Sequence, residues 1–414
     1  MSTPTSILPY QNLPNRTAPA LNLLAGTKVL DLTTSVAGPY AAQLLADLGA
    51  TVLKIEKPQS GDDSRAWGPP FLHGESLWFM SVNRGKKSVT LDIATDDGRS
   101  VLQQLIGHCD VILLNLVARG QRKLGLDAAT LRKLNPRLIH LSLTGFGSQG
   151  KRADLPCYDL IAEGYSGVMD LTGEAQSPPQ KVGTPAADLL AGNDAAMAVL
   201  AALIRRQRDG SGCDIDISMV ESMSRFMSPR LMPYLGSGEL SRRTGGRDSV
   251  IAIYQVFETS DEPMTLGLGN DAIWKRFWEA VGQPEIASRV EYASNAKRRA
   301  SRDEIVVIIS EILRSRPRAD WLEILGNARV PAGPIHRLDQ LADDQALKDS
   351  GFLYRTNGVD GPIPQVGLGI RFDGRSEGTS NPPPKLGAHT DEVLREWLAM
   401  DPKTIEQLRI NRVI

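Results

Sequence analysis

The sequence predicts an α/β fold, a Rossmann-like doubly wound parallel sheet in a large domain, joined to a smaller α+β domain. Two observations carry this. Over the first 220 residues, short β-rich runs alternate with helical stretches, the pattern of βαβ units and hence of a parallel sheet. After about residue 225 the pattern changes to a segment rich in Pro, Gly, Arg and Ser, followed by a strand pair and then mainly helices.

Val29-Leu30-Asp31-Leu32-Thr33 reads as the first strand, broken by Gly38-Pro39, with Pro39 suited to the first turn of a helix. Tyr40 to Leu48 is then a short helix closed by Gly49, and residues 51–56 a second strand, which a βαβ crossover makes parallel to the first. The alternation continues with strands at 88–93, 110–114 and 138–143 and helices at 96–108 and 127–134. Residues 189–208 form a long helix in which Ala191, Gly192, Ala195, Ala196 and Ala198 permit close packing. Arg205, Arg206 and Arg208 suit the negative end of its dipole, and Cys213–Ser218 follows as an alternating strand. The domain plan is an arm over 1–27, the first part of the large domain over 28–225, a linker over 226–250, and a small domain over 251–329. A linker and return to the large domain fill 330–414. Within the small domain, 251–267 is a strand pair around Ser260-Asp261-Glu262-Pro263, 270–328 is mainly helical, and a last helix lies near 392–400.

The chain has 414 residues, with 47 Lys and Arg against 48 Asp and Glu. A net charge of −1 leaves no electrostatic footprint for nucleic acid or an anionic membrane. Hydrophobic residues at 41% are enough for a sizeable core. Cys109, Cys157 and Cys213 are too few and scattered for a disulfide framework, and no zinc spacing is present, so no metal is expected. No run of about 18 apolar residues suggests a membrane span. The opening residues lack the basic and apolar regions of a secretory signal, and the expected location is the cytoplasm.

The βαβ start invites a dinucleotide reading, with Glu56 where a ribose-binding acid would sit. The loop Ser35-Val36-Ala37-Gly38-Pro39 has one glycine where that fingerprint needs three. No GxSxG elbow is present, and none of the five histidines has an evident nucleophile beside it. Arg84-Gly85-Lys86-Lys87 is either a solvated loop or a phosphate site, which Lys57, Arg122 and Lys123 could join at one sheet edge. Asp188 follows Gly183-Thr184-Pro185-Ala186-Ala187 at the start of the long helix. It reads as an N-cap or as a carboxylate nucleophile, and spacing does not choose between them.

One further pattern runs through these motifs. Lys28-Val-Leu-Asp-Leu-Thr33 is followed by Ala37-Gly-Pro-Tyr-Ala-Ala-Gln-Leu-Leu-Ala-Asp-Leu-Gly-Ala-Thr-Val-Leu-Lys-Ile-Glu56. Then come Ser60-Gly-Asp62, Asn83-Arg-Gly-Lys-Lys-Ser-Val89, Leu91-Asp92, Leu134-Asn-Pro-Arg137, Gly145-Phe-Gly147, Ala187-Asp188, Leu200-Ala-Ala-Leu203, Gly210-Ser-Gly212 and Gly387-Ala-His-Thr-Asp-Glu-Val-Leu394. This ordered series, over roughly residues 25–400, resembles the class III CoA-transferases, the family that also includes the 2-methylacyl-CoA racemases.

The resemblance implies that Asp188 is the nucleophile, attacking an acyl-CoA to form an aspartyl anhydride and then an aspartyl-CoA thioester, before CoA passes to a carboxylic acid. A helix start would hold that carboxylate ionised by lowering its pKa. By the same resemblance CoA lies along Val36, Ala37, Lys57, Leu91, Asp92, Ile93, Ala94, Asn115, Leu116, Val117 and Lys123, with Cys157, Tyr158 and Asp159 beside the thioester. The partner is a second copy of the chain in an interlocked homodimer. Family racemases carry a Gly-His-Asp stretch where this chain has Cys157-Tyr158-Asp159, so racemisation is the alternative that lacks its base; a non-catalytic acyl-CoA-binding homologue is another. Formyl-CoA transferases have a Gln at the position of Val36 and a longer Gly-rich loop than Leu266-Gly-Leu-Gly-Asn270, which weighs against formate and oxalate. Arg242, Arg243 and Arg247 are candidates for the second carboxylate of a dicarboxylic acceptor, or a solvated basic turn.

Overall fold

The computed structural model describes residues 8–17, 21–374 and 378–414. The chain divides into two compact units: Met1–Gly167, Val182–Ser228 and Asp344–Ile414 form one, Val168–Lys181 and Pro229–Asp343 the other.

The first unit is built on six parallel strands, β1 (Lys28–Asp31), β2 (Thr51–Glu56), β3 (Lys87–Thr90), β4 (Val111–Leu114), β5 (Ile139–Thr144) and β6 (Cys213–Ser218). Their order across the sheet is β3-β2-β1-β4-β5-β6. The order reverses between β1 and β4, and in open α/β sheets the crevice at the carboxyl ends of such a pair is where ligands bind.

The strands are apolar on both faces, as a sheet covered on both sides requires. In register, Leu30, Leu53 and Ile112 point to one face. They pack there against Val101, Leu102 and Leu105 of α2 (Asp96–Gly107), and against Val393, Leu394, Ile405 and Leu408 of the helices Thr390–Leu398 and Pro402–Ile410. Toward the other face, α1 (Ala37–Asp47) packs on the long helix, whose neighbours also include the short helices after β5 and β6.

Further helices of this unit include α3 (Ala118–Leu124), α4 (Ala128–Leu134), α5 (Asp159–Ser166), α6 (Ala186–Asp209) and α7 (Met219–Phe226). Helix α6 begins at Ala186, three residues before the predicted 189. By length and composition it would pass for a membrane span, contrary to the expectation of none, yet Ala187, Ala191, Gly192, Ala195, Ala196 and Val199 are buried. Gly192 sets the spacing. A Cβ there would stand 2.8 Å from the Ala37 carbonyl oxygen and 2.9 Å from the Tyr40 ring.

The predicted linker 226–250 contains a helix, Ser228–Ser237, with Pro233 inside it. A proline there hides helical periodicity from a sequence reading. The segment 330–414, read as a linker and a return to the large domain, contains an antiparallel hairpin, Leu353–Gly358 with Gly361–Val366. The arm is not simply laid on the surface: Arg16 N–H donates to the Arg355 carbonyl at 2.9 Å, and Arg355 N–H to that of Pro14 at 2.9 Å. Its residues 1–7 and 18–20 lie outside the described residues.

In the second unit, strands β7 (Tyr254–Phe257), β8 (Met264–Gly267) and β9 (Ala332–Pro334) form an antiparallel sheet of order β9-β8-β7. Its core is aromatic. Trp274 and Trp278 meet edge to face at 5.3 Å, and Phe277 and Tyr292 complete the cluster.

Candidate active site

The loop from β1 into α1 is anchored at almost every residue from below. Asp31, at the carboxyl end of β1, and Lys54, beside it on β2, are wholly buried. Asp31 accepts from the Thr33 backbone at 3.0 Å and from the Thr33 hydroxyl. Lys54 Nζ donates to the Thr33 carbonyl at 2.9 Å and pairs with Asp62 at 2.8 Å. The other Asp62 oxygen accepts from Ser35 N–H at 3.1 Å, fixing Ser35 at φ 71°, a left-handed conformation that costs a non-glycine residue about 1 kcal/mol or more. Across the strand reversal, Asn115 clamps Thr34 from both sides, accepting from its N–H at 3.2 Å and donating to its carbonyl at 2.9 Å. Lys86 Nζ spends its three protons on Asp31, the Pro39 carbonyl and Asn83, each at 2.8 Å.

Buried charges survive only when paired and hydrogen-bonded, and these are. Burial opposes ionisation of Asp31, but Lys86 and Lys54 outweigh it and hold the carboxyl below its usual range. Burial likewise pulls Lys86 down to about 8, against the attraction of Asp31. The loop above is therefore preorganised. The amides of Val36, Ala37 and Gly38, which open α1, face no protein acceptor among the described residues, as at helix starts that receive anions.

Asp188 lies in the first turn of α6, and Gly192 brings the next turn against the start of α1. Asp188 does not cap its helix, contrary to one of the two sequence readings. The cap comes from Asp159, the first residue of α5, whose Oδ1 accepts from Ala187 N–H at 2.8 Å and Asp188 N–H at 3.2 Å. Among the described residues no donor reaches the Asp188 carboxylate. Burial, and then the Asp159 charge, push its pKa up to about 7. The expectation that the helix start would lower it thus fails: Asp159 takes the Ala187 and Asp188 amides, and burial and the Asp159 charge act the other way. Burial and Asp188 together push the neighbouring Cys157 thiol up to about 11.

The parallel topology brings the sequence-predicted residues Val36 and Ala37, Lys57, Leu91 to Ala94, and Asn115 to Val117 to the same carboxyl edge of the sheet. Lys57 is exposed there, whereas the Leu91 side chain is buried in the core. Lys123 is exposed in the last turn of α3. Cys157 fits against the end of β5, where Gly145 has no room for a Cβ, and Tyr158 projects from the surface at 68% exposure.

The proposed phosphate cluster at Arg84, Lys86 and Lys87 does not form. Residues that precede a strand lie at the opposite edge from those that follow one, so this run starts β3 from the amino edge. Arg84 is buried on Asp47 at 2.6 Å, Lys86 serves the network above, and Lys87 bonds Glu392. Sequence reading also missed that network. Asp31, Lys54 and Asp62 occur in apolar or turn contexts, and only the β1–β2 register places the first two side by side. A charged residue inside an otherwise apolar strand was the available signal. In the second unit, Arg243 donates to Asp170, whereas Arg247 has no ion-pair partner among the described residues and lines a cavity of about 540 Å³ with Tyr254 and Gln255.

Residues 24–390 match the family described as CoA-transferase family III. The chain belongs to that family. It is 38% identical over 392 residues to the succinate–glutarate CoA-transferase of Agrobacterium fabrum, covering 93% of this chain and 97% of that one. It is 34% identical over 402 residues to the succinyl-CoA:glutarate CoA-transferase of Mus musculus, covering 97% and 92%. Among solved structures, a CAIB/BAIF family protein from Brucella suis superposes with a TM-score of 0.79 at 37% identity, covering 90% of this chain and 99% of the other. The family III enzyme described here thus transfers CoA from an acyl-CoA to a carboxylic acid. A six-stranded parallel sheet in a mixed α/β fold agrees with the predicted class.

Proposed function

We propose that Asp188 carries the transfer as a covalent nucleophile, and that the acids exchanged are dicarboxylic. The observation behind the first part is a carboxylate that is largely buried, bound by no donor among the described residues, and held above the ordinary acid range at the start of a helix packed on the β1–α1 loop. An Asp188 oxygen adds to the thioester carbonyl, and the C–S bond breaks with its electrons leaving on sulfur. This gives a mixed anhydride and CoA thiolate. The thiolate attacks the aspartyl carbonyl, expelling the donor acid and leaving an aspartyl-CoA thioester. The acceptor carboxylate attacks that thioester, forming a second anhydride, and the returning thiolate takes the acyl group and frees Asp188. No proton is gained or lost over the cycle, so the site needs no general acid, only position and exclusion of water.

The CoA moiety would lie along the carboxyl edge, with Val36, Ala37, Asn115 to Val117 and Leu91 to Ala94 as its walls and Lys57 and Lys123 near its phosphates. The loop beside Asp188 offers no imidazole for α-proton exchange, which favours transfer over racemisation. The dicarboxylate class is supported by the two glutarate enzymes and by the guanidinium of Arg247, which has no ion-pair partner among the described residues and is a candidate partner for a second carboxylate. The working form we propose is the interlocked homodimer.

The test is to incubate the protein with succinyl-CoA, quench with borohydride or hydroxylamine, and map the product by mass spectrometry. Modification is expected at residue 188. Turnover without modification there would remove Asp188 from the mechanism.

A further inference from the structure

We propose that Asp159 is a positioning residue for this reaction: by occupying the Ala187 and Asp188 amides of α6, it keeps them from the Asp188 carboxylate and leaves that carboxylate free to attack. The inference rests on the reading of Asp188 as nucleophile and extends it to a second acid.

A carboxylate in the first turn of a helix ordinarily faces unbonded amides and a positive dipole end, which bind it and lower its basicity. Reactivity of an oxygen nucleophile falls with its basicity. A helix start is thus a good place to bind an acid and a poor place to make one attack. Here the difficulty is removed from outside the helix. The Oδ1 of Asp159 stands 2.8 Å from Ala187 N and 3.2 Å from Asp188 N. Because Asp159 begins α5, and α5 packs on α6, its position is fixed by a second helix start.

Several titratable groups on the elements packed around α6 are engaged elsewhere, among them His140 of β5 with Asp214 of β6, and Asp216 of β6 with Ser148. From α1, Tyr40 bonds Asn193. From α7, Arg225 pairs with Asp194, two turns along the helix. Within α5, Glu163 accepts from Val182 N–H at 2.9 Å. The preceding loop brings the Cys157 thiol. Among the described residues burial and Asp159, and no cation, bear on Asp188.

Asp159 exchanges no proton and touches no reacting atom. Its removal has two separable consequences. Asp159→Asn keeps an acceptor oxygen for the amides and deletes the charge. Asp159→Ala deletes both, and the released amides then bind Asp188 itself.

The experiment measures kcat/KM for succinyl-CoA with saturating glutarate between pH 5 and 9, for the wild type and both variants, with labelling at residue 188 followed in parallel. The wild type should show an acid limb near pH 7. In Asp159→Asn that limb should move down by about one pH unit, and the rate above pH 8 should fall roughly tenfold. In Asp159→Ala the rate should fall by about a hundredfold. A structural role alone would lower the amount of folded protein and leave the limb in place. An unmoved limb in Asp159→Asn, with residue 188 still labelled, would overturn the inference and leave Asp188 standing. Absence of labelling at residue 188 in the wild type would overturn both. Should Asp159→Ala fail to fold, the Asp159→Asn limb decides.

Discussion

Two groups of acids meet near the carboxyl edge of the sheet, and they are built on opposite principles. Under the β1–α1 loop, Asp31 and Asp62 are buried beside Lys54 and Lys86, and every charge has an opposite partner within hydrogen-bond reach. At the start of α6, Asp188 is largely buried beside another acid and, among the described residues, has no cation. Pairing pulls the first acids below the ordinary carboxylate range, and burial with like charge pushes the last above it. The first arrangement makes a rigid floor, because removing any member strands a buried charge. The second stores reactivity, because the carboxylate has nothing to lose by leaving its ionised state.

The largest expected effect separates the two. Asp188→Ala should lower transfer by about 10³-fold or more while leaving the fold intact, as measured by steady-state rates and near-ultraviolet circular dichroism. Lys54→Met should do the reverse. It leaves Asp31 and Asp62 buried without that cation, and a loss of about 3–5 kcal/mol in denaturant unfolding is expected. A folded, active Lys54→Met protein would break the comparison.

Smaller in stability but not in rate is Gly192→Ala. The added methyl meets a backbone carbonyl, which cannot swing aside, so α6 must shift; a loss of about 1–3 kcal/mol and a fall in kcat of about tenfold are expected. The smallest effect is a difference in slope with pH. Asp188, raised in the folded state, contributes stability that is complete below its unfolded pKa of 3.8 and lost as pH rises through about 7. Asp31 and Asp62, lowered in the folded state, contribute stability present above 3.8 and lost as pH falls through their folded values. Asp188→Asn should therefore raise the melting temperature at pH 8 by a few degrees and leave it unchanged at pH 4. An equal shift at both pH values would mean that Asp188 is not under strain.

The sheet was legible because its strands are short apolar runs, such as Val111-Ile-Leu-Leu114, each followed by turn residues. Helices α3 and α5 were not read as such, because seven or eight residues leave too little periodicity to see. Asp188 was visible only as a residue before a small-residue helix, with two meanings. What removed the capping meaning was the bond from Asp159, 29 residues away, which local spacing does not encode. The misreading of Arg84 and Lys86 has a similar source. A basic run looks the same whether it enters a strand or leaves one, but the two lie at opposite edges.

The cap supplied by Asp159 has a bearing on durability. A residue that holds a helix and also reacts would release the helix each time it became an ester, and every turnover would begin with a partly undone structure. Here the two tasks are on different chain segments. On the mechanism proposed above, Asp188 would be acylated, converted to a thioester and restored while the Ala187 and Asp188 amides stay bonded to Asp159. Under that proposed cycle the enzyme would pass through its covalent states without refolding the start of α6 between them.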